Sequence, residues 1–244
     1  MTLLARQFRV LRASWATWVL AGFALCFAVL APVTATFMPE ILGSLAGGAI
    51  PIDVSALPDP TAADAWVQWS SNLNQIIIIL VAIVAASTIS ADIARGSAVP
   101  ILARPVSRTW YWGSAFLAVT VAVTLITVVS TALMTGVTAL LLDVSPTALR
   151  TPALATAAWL LFACSLIAVT LLASSLGAPT LGAAAAGVGW FALTALAGLW
   201  TASHAWSPTG LLTLEPTWGA AAVTALVTAG MVAAGLAAFR RREI

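Results

Sequence analysis

Side chains able to do chemistry are sparse in this sequence, and their densest group lies between Ala91 and Arg108. Asp92, Arg95, Arg104 and Arg108 stand there with Val99, Ile101 and Leu102, interrupted by Gly96, Pro100 and Pro105. Asp92 is expected to favour the N-terminus of a short amphipathic helix, and Pro105 to end it. A basic and apolar knob of this kind suits docking on a soluble partner with a complementary groove. The same residues also fit a plain solvated loop.

Two polar stripes form the second group. Gln68, Ser71, Asn72 and Gln75 fall within one arc of a helix, and Thr120, Thr124, Thr127, Thr131, Thr135 and Thr138 within one arc of another. Hydroxyls and amides gain nothing from lipid, so both stripes are expected to face protein or a cavity. Two roles fit them. They line a path for solute between paired chains, with Gln68, Asn72, Gln75, Thr124, Thr127 and Thr131 as the candidates, or they are glue between helices, each Thr bonding a preceding carbonyl.

The other reactive types narrow the chemistry further. All ten basic residues are arginine, so a GxxxxGK[ST] phosphate loop is impossible and ATP hydrolysis is not expected in this chain. No HExxH, no GxSxG and no paired intramembrane carboxylates occur, so no hydrolase centre is visible and the chain reads as a non-enzyme. His204 is the only histidine and cannot hold a metal alone, and no cofactor is expected. Cys26 and Cys164 fall near mid-span and read as small apolar residues rather than a disulfide. The net charge of +2 is too small and dispersed for nucleic acid.

The elements that carry these residues must lie in a membrane. Hydrophobic residues make up 61% of the 244, and charged ones 7%, against about 25% charged in a soluble domain. Uncharged runs cover 13–39, 65–91, 109–142, 151–214 and 216–239. A span needs roughly 20 apolar residues, so four runs hold one helix each. The fourth run, 151–214, is long enough for more and is divided at Ser174 to Pro179 and at Ser207 to Gly210. The expected fold is all-α and polytopic, one transmembrane domain over 1–244 with six transmembrane helices near 14–37, 67–90, 111–140, 154–174, 180–200 and 217–239. Trp66, Trp69, Trp110, Trp112, Trp200 and Trp218 near these ends suggest an aromatic belt.

Arginine placement gives the orientation. With six spans, nine of the ten arginines share one side with both termini and only Arg150 lies opposite, which makes both termini cytoplasmic. The first run is longer than the roughly 7–15 residues of a signal-peptide core and reads as a span. Residues 1–13, with Leu4, Phe8 and Leu11 on one side and Arg6, Arg9 and Arg12 on another, read as an amphipathic elbow helix along the inner surface or as a basic flank. The outer loop 38–66, with Pro39, Pro51, Pro58 and Pro60, is expected to be an irregular cap.

The 91–109 loop resembles the signature region of type-2 ABC transporter permeases, in which an acidic residue stands four places before Gly-Thr or Gly-Ser and an apolar pair and Pro-Val-Ser-Arg follow. Asp92, Gly96, Ser97, Ile101, Leu102, Pro105, Val106, Ser107 and Arg108 stand at those places, with aspartate where glutamate is usual and Ser114 where lysine is common. The resemblance implies that the loop couples to a separate ATPase subunit on the cytoplasmic side through Asp92, Arg95, Gly96, Arg104, Pro105 and Arg108. It also implies pairing with a second permease chain, as homodimer or heterodimer.

The expected function is therefore the permease subunit of an ABC exporter in a bacterial plasma membrane. Uncharged spans suit a lipophilic or amphipathic cargo, such as a drug or antibiotic, because a bare ion would lose its hydration uncompensated. The alternative is a membrane scaffold or assembly subunit that moves nothing. A proton-coupled carrier is disfavoured by the lack of titratable residues within the spans.

Overall fold

A computed structural model describes residues 2–46, 59–97, 106–142, 144, 149–200 and 206–242. Among them every regular element is helical. Helices α1 (Leu3–Ala13), α2 (Trp15–Ala46) and α3 (Ala62–Asn72) are followed by a π-helical turn, Leu73–Ile77, that leads directly into α4 (Ile78–Ala94). Then come α5 (Arg108–Leu141), α6 (Arg150–Ser175), α7 (Thr180–Ala197), a 3₁₀ turn at Pro208–Leu211 and α8 (Trp218–Arg241). Six helical stretches are long and apolar enough to cross a membrane, the number expected from the uncharged runs. The chain is thus a multi-pass helical membrane protein.

The second span, Ala62–Ala94, is longer than expected at both ends. Thr61 starts it with a reciprocal cap, its amide and hydroxyl both donating to Asp64 Oδ2 at 2.8 and 2.7 Å. At the other end Gly96 adopts φ +69°, a left-handed conformation that glycine enters without strain, and its amide closes on Ile93 O at 3.0 Å. Asp92 therefore lies in the last turn of α4, not at the start of a new helix. The cause is that the apolar run leading to Ala91 carries the helix through Asp92 until glycine stops it.

The first span, Trp15–Met38, ends close to where it is expected, but its helix runs on. Helix α2 continues past Pro39 to Ala46, so the beginning of the 38–66 segment is helical and its last residues belong to α3, leaving 47–58 outside the described residues. Proline is tolerated here as it is in membrane helices generally.

Helices α4 and α6 form the centre of the bundle. Helix α4 packs against α2, α5, α6 and α7, and α6 against α4, α5, α7 and α8. Most of each central span is buried within the chain, whereas α2, α5, α7 and α8 turn large apolar side chains such as Phe23, Leu125, Leu181 and Leu226 outward. That is the pattern expected where the surrounding medium is lipid.

The expected aromatic belt is only half present. Trp110, Trp200 and Trp218 are exposed, but Trp66, Trp69 and Trp112 are buried inside the bundle. The Trp112 indole donates to Ser175 Oγ at 2.9 Å and stacks on Phe116 at 5.7 Å. A Cβ added at Gly235 would come within 2.6 Å of the Trp112 ring, so α8 approaches α5 this closely only because it presents glycine there.

Candidate functional site

Contacts between distant segments gather α1, the end of α4, the start of α5 and the end of α8 at one end of the bundle, which also carries most of the described arginines. Asp92 is its centre, 3% exposed. Arg6 Nη1 donates to Asp92 Oδ2 at 2.8 Å, and the Tyr111 hydroxyl donates to the same oxygen at 2.7 Å. Ser97 Oγ donates to Asp92 Oδ1 at 3.0 Å. Both carboxylate oxygens are therefore occupied, and the charge is offset by one guanidinium. A carboxylate in the last turn of a helix meets the negative end of the dipole, and Arg6 compensates for that.

Burial works against the charge on Arg6, but the hydrogen bond and charge of Asp92 outweigh it, so the Arg6 pKa is raised above its ordinary value. The pair is conditional in strength. Removing either member of a buried pair costs about 3–5 kcal/mol, while replacing both by apolar groups is often neutral. Tyr111 extends the connection by stacking on Phe239 of α8, with ring centres 5.7 Å apart and planes 11° from parallel.

A second polar cluster lies at the same end. Ser107 caps α5 by accepting from the Trp110 amide at 3.4 Å, and Arg108 then donates to the carbonyls of Arg242 and of Arg240, the latter at 3.4 Å. A cation at the open carbonyls ending α8 is favourably placed against its dipole. Arg242 in turn donates to Ser174 O at the end of α6, and Ser90 Oγ of α4 donates to Ser174 Oγ at 2.8 Å. The loop expected to dock a partner thus leaves the bundle beside one cluster and rejoins it at the other.

Of the six residues assigned to docking, Asp92 is buried in the first cluster and Arg108 bonded in the second, while Arg95 and Gly96 are exposed between them. Arg104 and Pro105 lie outside the described residues, as does His204. The amphipathic piece expected after Asp92 likewise falls mostly on residues 98–105, outside the description.

The polar stripes divide. Thr127 and Thr131 are buried within a single chain, and Thr131 Oγ1 accepts from the Trp69 indole at 3.3 Å beside Thr156 Oγ1 at 3.3 Å. Thr135 and Thr138 donate to carbonyls one turn earlier, both at 2.8 Å. Gln68, Asn72 and Thr124 are half-buried and Gln75 is exposed. Asn74, in the π turn, donates to Leu212 O at 3.1 Å and so fixes the segment after the 3₁₀ turn.

Reading the sequence missed Tyr111, and it placed Arg6 on the elbow without its partner. The available signal for Tyr111 was that it is the only tyrosine in the chain, at the start of an otherwise apolar span. Gln7 gave no signal at all, yet it is fully buried with neither amide atom bonded to protein. No protein-family model and no curated protein matches the chain.

Proposed function

We propose that this chain is the membrane-spanning permease subunit of an ATP-driven ABC exporter, paired with a second permease chain and powered by a separate ATPase. The observation that carries the reading is the anchoring of the 92–108 segment at both ends. Its start is bonded to α1 and α5 through Asp92, and its finish to α8 and α6 through Arg108 and Arg242. A push on the segment would be delivered to four helices at once, which a solvated loop without a mechanical role would not need. The lysine-free sequence agrees, because the chain has no phosphate loop of its own.

On this reading α1 is the elbow helix on the cytoplasmic surface, both termini are cytoplasmic, and the membrane is a bacterial plasma membrane. Exposed Arg9 and Arg12 face water and headgroups, and Leu11 packs inward. Gln68, Asn72, Gln75 and Thr124, which are not consumed by packing within one copy, line the path against the second chain. Thr127 and Thr131 act one layer behind them. The cargo is a lipophilic or amphipathic compound.

The test is co-purification with a soluble Walker-containing ATPase encoded beside this chain, followed by ATPase assays. Arg95→Glu with Arg104→Glu reverses charge on the loop while sparing Arg108, which holds α8. The double variant is expected to insert normally and to lose most of the stimulated activity. Unaltered stimulation would remove the docking role, and binding without any stimulation by the wild type would favour a scaffold.

A further inference from the structure

An open cavity of about 610 Å³ lies at the arginine-rich end, between α1, the start of α2, the end of α4 and the start of α7. It falls within the roughly 300–1,000 Å³ range of small-molecule sites. Its charge is one-sided. Arg6 and Arg95 border it against the single carboxylate of Asp92, whose two oxygens are already bonded by Arg6, Tyr111 and Ser97. The exposed Arg95 guanidinium has no partner among the described residues.

Two helix N-termini open on the same space. Helix α2 begins at Trp15 and α7 at Thr180, and both residues border the cavity. The preceding residue of α7 is Pro179, which offers no side-chain cap to the first amides. The uncapped first amides of α7 and the positive ends of the two helix dipoles add to the arginine charge. Ser87 and Ser97 also line the cavity, with their hydroxyls already donating to Val84 O and to Asp92. Val10 and Ile83 make part of the wall apolar. Trp15 borders the cavity 73% exposed, as indoles do at headgroup level.

We infer that this cavity seats the phosphate headgroup of an anionic phospholipid, with the phosphate toward Arg95 and the helix starts and the glycerol and acyl chains along the apolar wall. A zwitterionic lipid fits less well, because its ammonium would meet the same arginines. The assignment goes beyond the transport reading and holds whether or not the chain moves a cargo. It makes the packing of α1 on the bundle responsive to lipid composition, because Arg6 serves both the Asp92 bond and the cavity.

Native mass spectrometry of the full chain, released from nanodiscs of equal phosphatidylglycerol and phosphatidylcholine, tests it. Retention of phosphatidylglycerol over phosphatidylcholine is expected. Arg95→Gln should lower that retention about fivefold, since one arginine near anionic lipid contributes about 1 kcal/mol. Ser87→Phe, which fills the cavity without changing charge, should lower it comparably. Arg241→Gln, at the same end but outside this cavity, should leave it unchanged, and Arg95→Lys should restore most of it if Arg95→Gln proves poorly folded. Equal retention of the two lipids, equal loss in Arg241→Gln, or wild-type retention in Ser87→Phe would overturn the site. Displacement of the lipid by millimolar inorganic phosphate would make it a free-anion site and overturn the lipid assignment.

Discussion

At the arginine-rich end the helices are joined by directional polar bonds. Asp92 holds Arg6, Ser97 and Tyr111, and Arg108 holds the end of α8. At the far end Trp66, Trp69 and Trp159 pack with Leu73, Pro152 and Leu211 around a narrow gap, and the indole N–H groups of Trp66 and Trp159 have no protein partner. Apolar contact is non-directional and tolerates sliding, whereas a buried ion pair has one good geometry and a large cost when broken. The difference assigns unlike mechanical roles to the two ends. The polar end is suited to transmit a displacement as a rigid unit, and the tryptophan end relies on apolar packing with a few neutral bonds, Trp69 to Thr131 and Asn74 to Leu212 among them.

The contrast can be broken most severely at its centre. Asp92→Ala leaves the buried Tyr111 hydroxyl and the half-buried Arg6 guanidinium without their acceptor and should cost about 3 kcal/mol, the lower end of the range for a buried pair, read as a large fall in thermal stability of the purified chain. The double variant Arg6→Met, Asp92→Leu should recover much of that loss. If it does not, the pair is not the element that fails. Tyr111→Phe, which removes one hydrogen bond to a carboxylate and keeps the Phe239 stacking, should cost on the order of 1.5–3 kcal/mol in the same assay.

Smaller effects sharpen the comparison. Gly235→Ala forces a methyl against the Trp112 ring and should cost roughly 1–3 kcal/mol through overpacking, measurable as a lowered unfolding midpoint. At the tryptophan end Trp69→Phe loses a bond to Thr131 that Trp66→Phe does not have, so it should be the more damaging by about 1 kcal/mol. Equal costs for the two would mean that packing alone governs that end.

The parts of this fold legible in the sequence are those that follow from the cost of charge in hydrocarbon. Runs between Arg12 and Glu40 or between Arg108 and Asp143 must be spans because nothing in them needs water, and helices α2 and α5 begin close to those arginines. The partners of polar residues were not legible. Asp92 and Arg6 are 86 positions apart, and no periodicity within either helix encodes the meeting of their side chains. Similar logic covers the tryptophans: Trp112 and Trp218 both mark span ends, but only packing decides that one bonds Ser175 inside and the other faces outward. The threonine stripe identified a face, and the neighbours on that face came only from the arrangement of α3, α5 and α6.

The proposed function depends on the Asp92 cluster relaying force between the 92–108 segment and the spans. Its most direct test is the ATPase rate of the proposed ATPase partner reconstituted with the chain carrying Asp92→Asn, which keeps the side-chain shape and removes the charge that holds Arg6. The account predicts that the variant still binds the ATPase and loses most of the stimulation. Full stimulation with the charge removed would contradict it.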